Sequence, residues 1–212
     1  MKPSAVGVFA KAPVPGKTKT RLAHVIGDEA AAALHVAFLW DTLALATQVT
    51  ECVLFSAGDH EHPVLREAAA HFGIRQVPQH GEDLGLRMMN AIDVLLEDHA
   101  TAVLIGSDAP SLPPRALKAA CTKPLSFGPS SDGGFYLVGA QARPHFEEIA
   151  WSTPRTLADT LAQNPGAQLL EPWFDVDEWG DLRTLQLQLQ LHAEAAPKTS
   201  DWLTEHEMLL CE

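Results

Sequence analysis

Cysteine is scarce in this 212-residue chain: Cys52, Cys121 and Cys211 stand far apart and form no CxxC pair. That excludes a disulfide framework and a cysteine-held zinc site, and leaves packing as the role of each thiol. Basic residues are outnumbered, 15 Lys and Arg against 27 Asp and Glu, for a formal net charge of −12. General nucleic-acid binding needs a broad basic face, so nucleic acid is not an expected partner. No run approaches the ~20 apolar residues of a membrane span, and the few apolar positions before Lys11 are too short for a signal peptide. The expectation is a cytoplasmic protein without a membrane partner. Repeats, low-complexity segments and linkers are lacking too, and 46% hydrophobic residues suffice for a real core. One domain over 1–212 follows.

Against that acidic background, the stretch VGVFAKAPVPGKTKTRL over 6–22 gathers Lys11, Lys17, Lys19 and Arg21 just after an apolar run. The run reads as a buried strand, broken by Pro13, Pro15 and Gly16. Four cations in one loop call for an anionic ligand, because lysine and arginine beside backbone N–H groups make a phosphate cradle. The dull alternative is a solvated basic loop. A P-loop is excluded: Gly16-Lys17-Thr18 matches the end of GxxxxGK[ST], but Lys11 stands where the first glycine belongs. Pro13 and Pro15 also lack the N–H groups a phosphate nest uses.

Downstream, helical and strand-like patterns alternate. Asp28 is a plausible N-cap of an alanine-rich helix. Strands are expected at 52–57, 74–77, 102–105, 125–128 and 135–138, and helices at 63–72, 84–99, 113–121 and 153–163. LQLQLQL over 185–191 alternates like a strand, yet Leu182, Leu185 and Leu189 share a helical face, so the segment is read as helix. A capped terminal helix over 200–210 would place Trp202, Leu209 and Leu210 on its own domain or on a second copy in a homodimer. Alternating β and α predicts a largely parallel, doubly wound α/β sheet.

In such sheets ligands bind beyond the carboxyl ends of the strands. Carboxylates stand there in GSDAP, with Asp108; in SSDGGFY, with Asp132 before Gly133 and Gly134; and in Asp175-Val176-Asp177. Each alone could be a cap or a turn former. Asp181 reads as such a structural cap. Hard oxygen donors facing a lysine and arginine loop, however, are what a magnesium or manganese nucleotide requires. No histidine or glutamate stands out as a catalytic base, and His24 reads as a surface or packing residue.

Taken together, FAKAPVPGKTKTRL, GEDLGLRM, GSDAPSL, SSDGGFYLVG, WSTP and DVDEWGDL resemble the CofC-like glycosyltransferase family, some of whose members are associated with arsenosugar biosynthesis. That family is related to 2-phospho-lactate guanylyltransferase, within the nucleotide-diphospho-sugar transferase superfamily. The resemblance spans 5–182 and implies a GT-A, Rossmann-like three-layer α/β/α domain with a mostly parallel central sheet. It implies that Lys11, Lys19 and Arg21 meet the nucleotide phosphates, with Lys17 beside them. Asp108 would hold Mg²⁺ or Mn²⁺ with Asp177 as second ligand and Asp132 as its alternative, since SDAP replaces a strict DxD. Gln79, Gly85 and Arg87 fall where related enzymes recognise the nucleobase, and Trp151, Ser152 and Thr153 on the acceptor side.

Three functions remain open at this stage. The first is glycosyl transfer from a nucleotide-sugar donor to a small-molecule acceptor. The second is nucleotidylyl transfer with release of pyrophosphate, for which a loop of four cations suits a triphosphate. The third is nucleotide binding without catalysis, disfavoured by so much charge held in one place.

Overall fold

The computed structural model describes residues 3–210. Its strands are β1 (Ser4–Lys11), β2 (Glu51–Ala57), β3 (Arg75–Pro78), β4 (Thr101–Gly106), β5 (Leu125–Pro129), β6 (Phe135–Ala140) and β7 (Gln168–Leu169). They form one seven-stranded sheet in the order β3-β2-β1-β4-β6-β5-β7. Neighbours are parallel except where β6 runs against β4 and β5. Reversing that one strand matters, because β5 and β6 then meet in a short turn, residues 130–134, at the same edge where β1 and β4 end.

Helices flank both faces, so the expected mixed α/β fold with a mostly parallel sheet is the one observed. On one face α2 (Asp28–Val49), α3 (Pro63–Phe72) and α5 (Pro114–Ala120) set Leu39, Leu43, Leu65 and Leu117 against Val6, Val8 and Val103. On the other, α4 (Leu84–Leu96) packs Met88, Ile92 and Leu95 on Ala5, Val53 and Leu104, joined by Leu157 and Leu161 of α6 (Thr156–Gln163). Strands covered on both faces are near-continuous apolar runs, which is why β1, β2 and β4 stand out in the sequence.

A third apolar cluster joins α1 (Thr20–Ile26) and the first half of α2 to α7 (Trp179–Leu191) and α8 (Pro197–Glu205) through Leu22, Leu34, Phe38, Leu182, Leu185 and Trp202. Helix α2 is therefore covered on two sides, and its 22 residues correct the expectation that no run approaches the length and apolarity of a membrane span. By length and composition α2 could cross a membrane, although His35, Asp41 and Thr42 interrupt its apolar run. The 18-residue window that qualifies is 61% buried within the protein.

Helix α7 settles the LQLQLQL ambiguity. It buries Leu182, Leu185 and Leu189 and leaves Leu187 and Leu191 exposed, a pattern of period 3.6. Asp181 does cap it, accepting from the N–H groups of Asp177 and Glu178 at 3.1 and 2.9 Å. Asp28 does not cap α2; Gly27 holds that place at φ 87° and Asp28 is the first helical residue, where its charge still favours the positive helix end. The terminal helix begins at Pro197 and stops at Glu205, before a 3₁₀ turn. Trp202 packs within its own chain. The side chains of Leu209 and Leu210, and Cys211, lie outside the described residues. Cys52 and Cys121 are free thiols, the first buried and the second half-buried.

Candidate active site

Strand β1 lies between β2 and β4, so the chain turns away in opposite directions on its two sides. The crevice at the carboxyl ends of β1 and β4 is the topological switch point of the sheet. Lys11 ends β1, and Asp108 follows β4 by two residues. The intervening basic loop is tied to itself. Thr18, buried, donates to the Ala12 carbonyl at 2.9 Å, the Lys17 N–H to the Val14 carbonyl at 3.0 Å, and the Lys11 ammonium to the Lys17 carbonyl at 2.8 Å. It is a braced turn with Lys11, Lys17 and Arg21 exposed and Lys19 turned inward, not a phosphate-wrapping nest.

Lys19 closes the loop on the acidic segments. Its side chain, 5% exposed, places the ammonium 2.7 Å from Asp108 Oδ1 and 2.8 Å from Asp177 Oδ1. The same ammonium donates to the Val176 carbonyl at 2.7 Å, while the Val176 N–H donates to the Asp108 carbonyl at 2.8 Å. Burial pushes the Lys19 pKa down, but the two carboxylates outweigh it and the net shift is upward. Burial likewise pushes Asp108 up, and the Lys19 charge, with His35 behind it, holds it below the usual carboxylate range. Arg21 makes a looser, exposed contact with Glu178 at 3.2 Å.

Two joined clefts open around these groups. A charged one of about 480 Å³ is lined by Lys11, Lys17, Lys19, Arg21, Asp108, Asp132, Ser152, Thr153 and Asp177. A more apolar one of about 350 Å³ runs over Phe9, Gln79, Leu84, Met88 and Phe135 and shares Lys11, His35, Asp108 and Asp177 with the first. Trp151, Asp132, Gly134 and Ser152 flank a smaller hollow that shares Phe135 and Asp175 with the apolar cleft. Segments far apart in the chain, from Phe9 to Asp177, thus line one continuous surface.

Not every residue singled out in the sequence faces these clefts. Gly85 is buried in packing, since a Cβ there would lie 2.7 Å from the Trp151 ring. Arg87 donates to the Gly81 carbonyl at 2.9 Å and braces the loop before α4. Neither is among the residues lining the clefts. Gly133, at φ 87°, lets its turn approach Pro154, whose carbonyl oxygen a Cβ would overlap. One Asp132 oxygen accepts from the Gly134 N–H at 2.9 Å, so part of that carboxylate is committed to its own turn. Gln79 donates to the Phe55 carbonyl at 3.0 Å with its amide oxygen remaining for the cleft.

One residue with chemistry was missed, and a second stood in a recognised motif without a role of its own. His35, buried on α2, lies with Nε2 3.3 Å from the Lys11 carbonyl and Nδ1 3.7 Å from Asp108 Oδ1, and burial lowers its pKa. A histidine inside an otherwise apolar helix that follows a basic loop was the available signal. Asp175 accepts from Ser130 at 2.9 Å and is pushed up to about 7, first by burial and then by Asp108, Asp177 and Asp132 nearby. Its motif was visible; its burial was not.

The donor set fits a magnesium-like ion. Asp108 and Asp177 bring one oxygen each to within 2.8 Å of a single point. Among the described residues no group of three or more His, Cys, Asp and Glu is placed to hold a metal by itself. Such ions are commonly held by one or two carboxylates together with water and substrate phosphates.

The architecture and crevice define a nucleotide-diphospho-sugar transferase-like fold. More particularly, the chain belongs to the DUF2064 family, described as an uncharacterized protein conserved in bacteria, whose sequence model matches residues 41–153. A structure from Desulfovibrio desulfuricans G20, provisionally assigned as a nucleotide-diphospho-sugar transferase, is 28% identical. It aligns over 99% of this chain and 97% of its own, with a TM-score of 0.86. A nucleotidyl transferase from Methanothermobacter shares the fold at 12% identity and TM-score 0.60, over 91% of this chain and 100% of its own. So does CMP:2-keto-3-deoxy-manno-octonic acid synthetase complexed with CTP, at 13% and 0.52, over 90% and 99%. No curated protein matches the chain.

Proposed function

We propose that this protein is a cytoplasmic, metal-dependent transferase that moves a glycosyl group from a nucleotide-sugar donor to a small-molecule acceptor, in the manner of the CofC-like glycosyltransferases its motifs resemble. The observation that carries the reading is the cleft at the switch point, where Lys11, Lys17, Lys19 and Arg21 face Asp108 and Asp177. The full-length similarity to the Desulfovibrio protein supports a nucleotide-sugar donor over other anions.

In this reading Asp108 and Asp177 hold Mg²⁺ or Mn²⁺, which when bound supplies positive charge to the diphosphate oxygens. The loop cations meet the phosphates as charge builds on the departing nucleoside diphosphate. One such preorganised contact is worth about 3 kcal/mol in the transition state. Gln79 and the apolar cleft receive the nucleoside, and Ser152 and Thr153 border the acceptor. No covalent intermediate is required.

Nucleotidylyl transfer is the second reading, favoured by one observation: all four loop cations line the same cleft, a set that suits a triphosphate. Thermal unfolding against nucleoside triphosphates, diphosphates and nucleotide sugars, with and without Mg²⁺ or Mn²⁺, tests both, since ligands of the native state raise its melting temperature. A metal-dependent shift with one nucleotide sugar and its diphosphate supports glycosyl transfer. A shift confined to a triphosphate, with pyrophosphate as product, transfers the assignment to the second reading. Binding without turnover identifies a non-catalytic nucleotide binder, and no shift with any ligand rejects all three.

A further inference from the structure

We infer that Lys19 is the resident counter-ion of the Asp108–Asp177 pair, and that a divalent ion enters only together with a phosphate ligand that takes Lys19 over. The inference rests on the metal-dependent reading above and specifies its order of binding.

A lysine ammonium has three N–H donors. Lys19 donates to Asp177 Oδ1 at 2.8 Å and to the Val176 carbonyl at 2.7 Å, and its charge lies 2.7 Å from Asp108 Oδ1, a buried oxygen that accepts no hydrogen bond among the described residues. At most one donor is left for a phosphate. The ammonium also sits where the two carboxylate oxygens converge, the point a dication bound by both would occupy. The two roles suggested for this crevice therefore compete for one position and one set of bonds.

Exchange without a new anion is unfavourable. A dication approaching the free protein meets a charge of its own sign on a side chain only 5% exposed. Displacing that ammonium would leave it without an acceptor, a heavy penalty for a buried charge. A diphosphate arriving with its metal removes the conflict, because its oxygens accept the released N–H groups while the metal takes the carboxylates. The ammonium keeps an acceptor and the two carboxylates keep a cation beside them throughout the exchange.

The backbone around Lys19 is shaped for such a tether. Lys19 holds φ 51° and ψ 42° at the junction of the loop and α1, a left-handed conformation uncommon for a side chain of this kind. Among the described residues, a second side-chain tie between this loop and the acidic segment, Arg21 to Glu178, is exposed on both sides.

The test uses the whole protein and does not depend on turnover. In ¹H–¹⁵N correlation spectra of the wild type, the Lys19 ammonium is expected to give a protected signal. Mg²⁺ alone leaves it unchanged, and Mg²⁺ with inorganic pyrophosphate moves it. By electron paramagnetic resonance, Lys19→Met is expected to bind Mn²⁺ alone about ten-fold more tightly than the wild type, since the competing charge is gone. A folded Lys19→Met that binds Mn²⁺ no more tightly, or a wild-type signal displaced by Mg²⁺ alone, overturns the inference while leaving metal dependence standing. Failure of the wild type to bind pyrophosphate with Mg²⁺ overturns the metal-dependent reading and the inference with it. Should Lys19→Met not fold, the wild-type spectra decide by themselves.

Discussion

Asp41 and Asp108 are both drawn into the protein, yet their surroundings treat charge in opposite ways. Asp41, 4% exposed on α2, accepts from the Lys198 N–H at 3.0 Å, the Thr199 N–H at 2.8 Å and the Thr199 hydroxyl at 2.7 Å. It thereby caps α8 from another helix, a role no side chain within α8 fills. Burial still dominates, and the Asp41 pKa rises despite those bonds. Asp108 has a full positive charge at 2.7 Å, and its pKa falls despite burial. At Asp41 the three hydrogen bonds and the Lys198 charge do not offset the cost of burial; at Asp108 the Lys19 ammonium in direct contact does. The first arrangement suits a joint between helices, the second a site that exchanges ions.

The largest expected effect separates the two aspartates by function. Asp108→Asn should lower kcat/KM at least 100-fold and abolish the metal-dependent thermal shift, on the scale of a lost transition-state contact of about 3 kcal/mol or more. Circular dichroism should show the fold retained, and Asp41→Asn should leave ligand affinity unchanged. Equal loss of binding in both variants would break the comparison.

Stability should divide the other way. Asp41→Ala removes three buried hydrogen bonds and the α8 cap and is expected to cost about 3 kcal/mol in urea unfolding. Thr199→Val, which deletes only the hydroxyl donor, should cost about 1 kcal/mol. The smallest effect is in pH dependence, measured without metal. A raised carboxyl pKa contributes stability below the unfolded value, near 3.8, that is lost as pH rises through the folded value. A lowered one contributes above 3.8 and is lost as pH falls through the folded value. The stability difference between wild type and Asp41→Asn should therefore decline with rising pH, and that for Asp108→Asn should grow. Parallel slopes would refute the contrast.

Much of this was legible in residue patterns because it depends on local chemistry. Apolar runs marked the central strands, Leu182, Leu185 and Leu189 marked the buried face of α7, and Asp108 stood just beyond a strand. What escaped depends on tertiary contacts. Strand β7 is two exposed residues, Gln168 and Leu169, with no periodicity to display. Helix α1 begins on a left-handed lysine with no side-chain cap, so no start signal precedes it. Gly85 and Arg87 sit in a segment that forms the crevice wall, but their own environments, under Trp151 and against Gly81, appear only once α4 is docked. His35 needs the crossing of α2 behind the sheet to reach Asp108.

The order in which the crevice is assembled carries a consequence for synthesis on the ribosome. Its basic half is complete by Arg21 and its central aspartate by residue 108, but the second carboxylate arrives only at Asp177, held by the Val176 link to Asp108. A nascent chain ending before that point can form its central parallel strands yet lacks one side of the pair that receives Lys19. Small molecules that stabilise the finished protein by binding across this pair should therefore leave arrested intermediates shorter than 177 residues unprotected from protease.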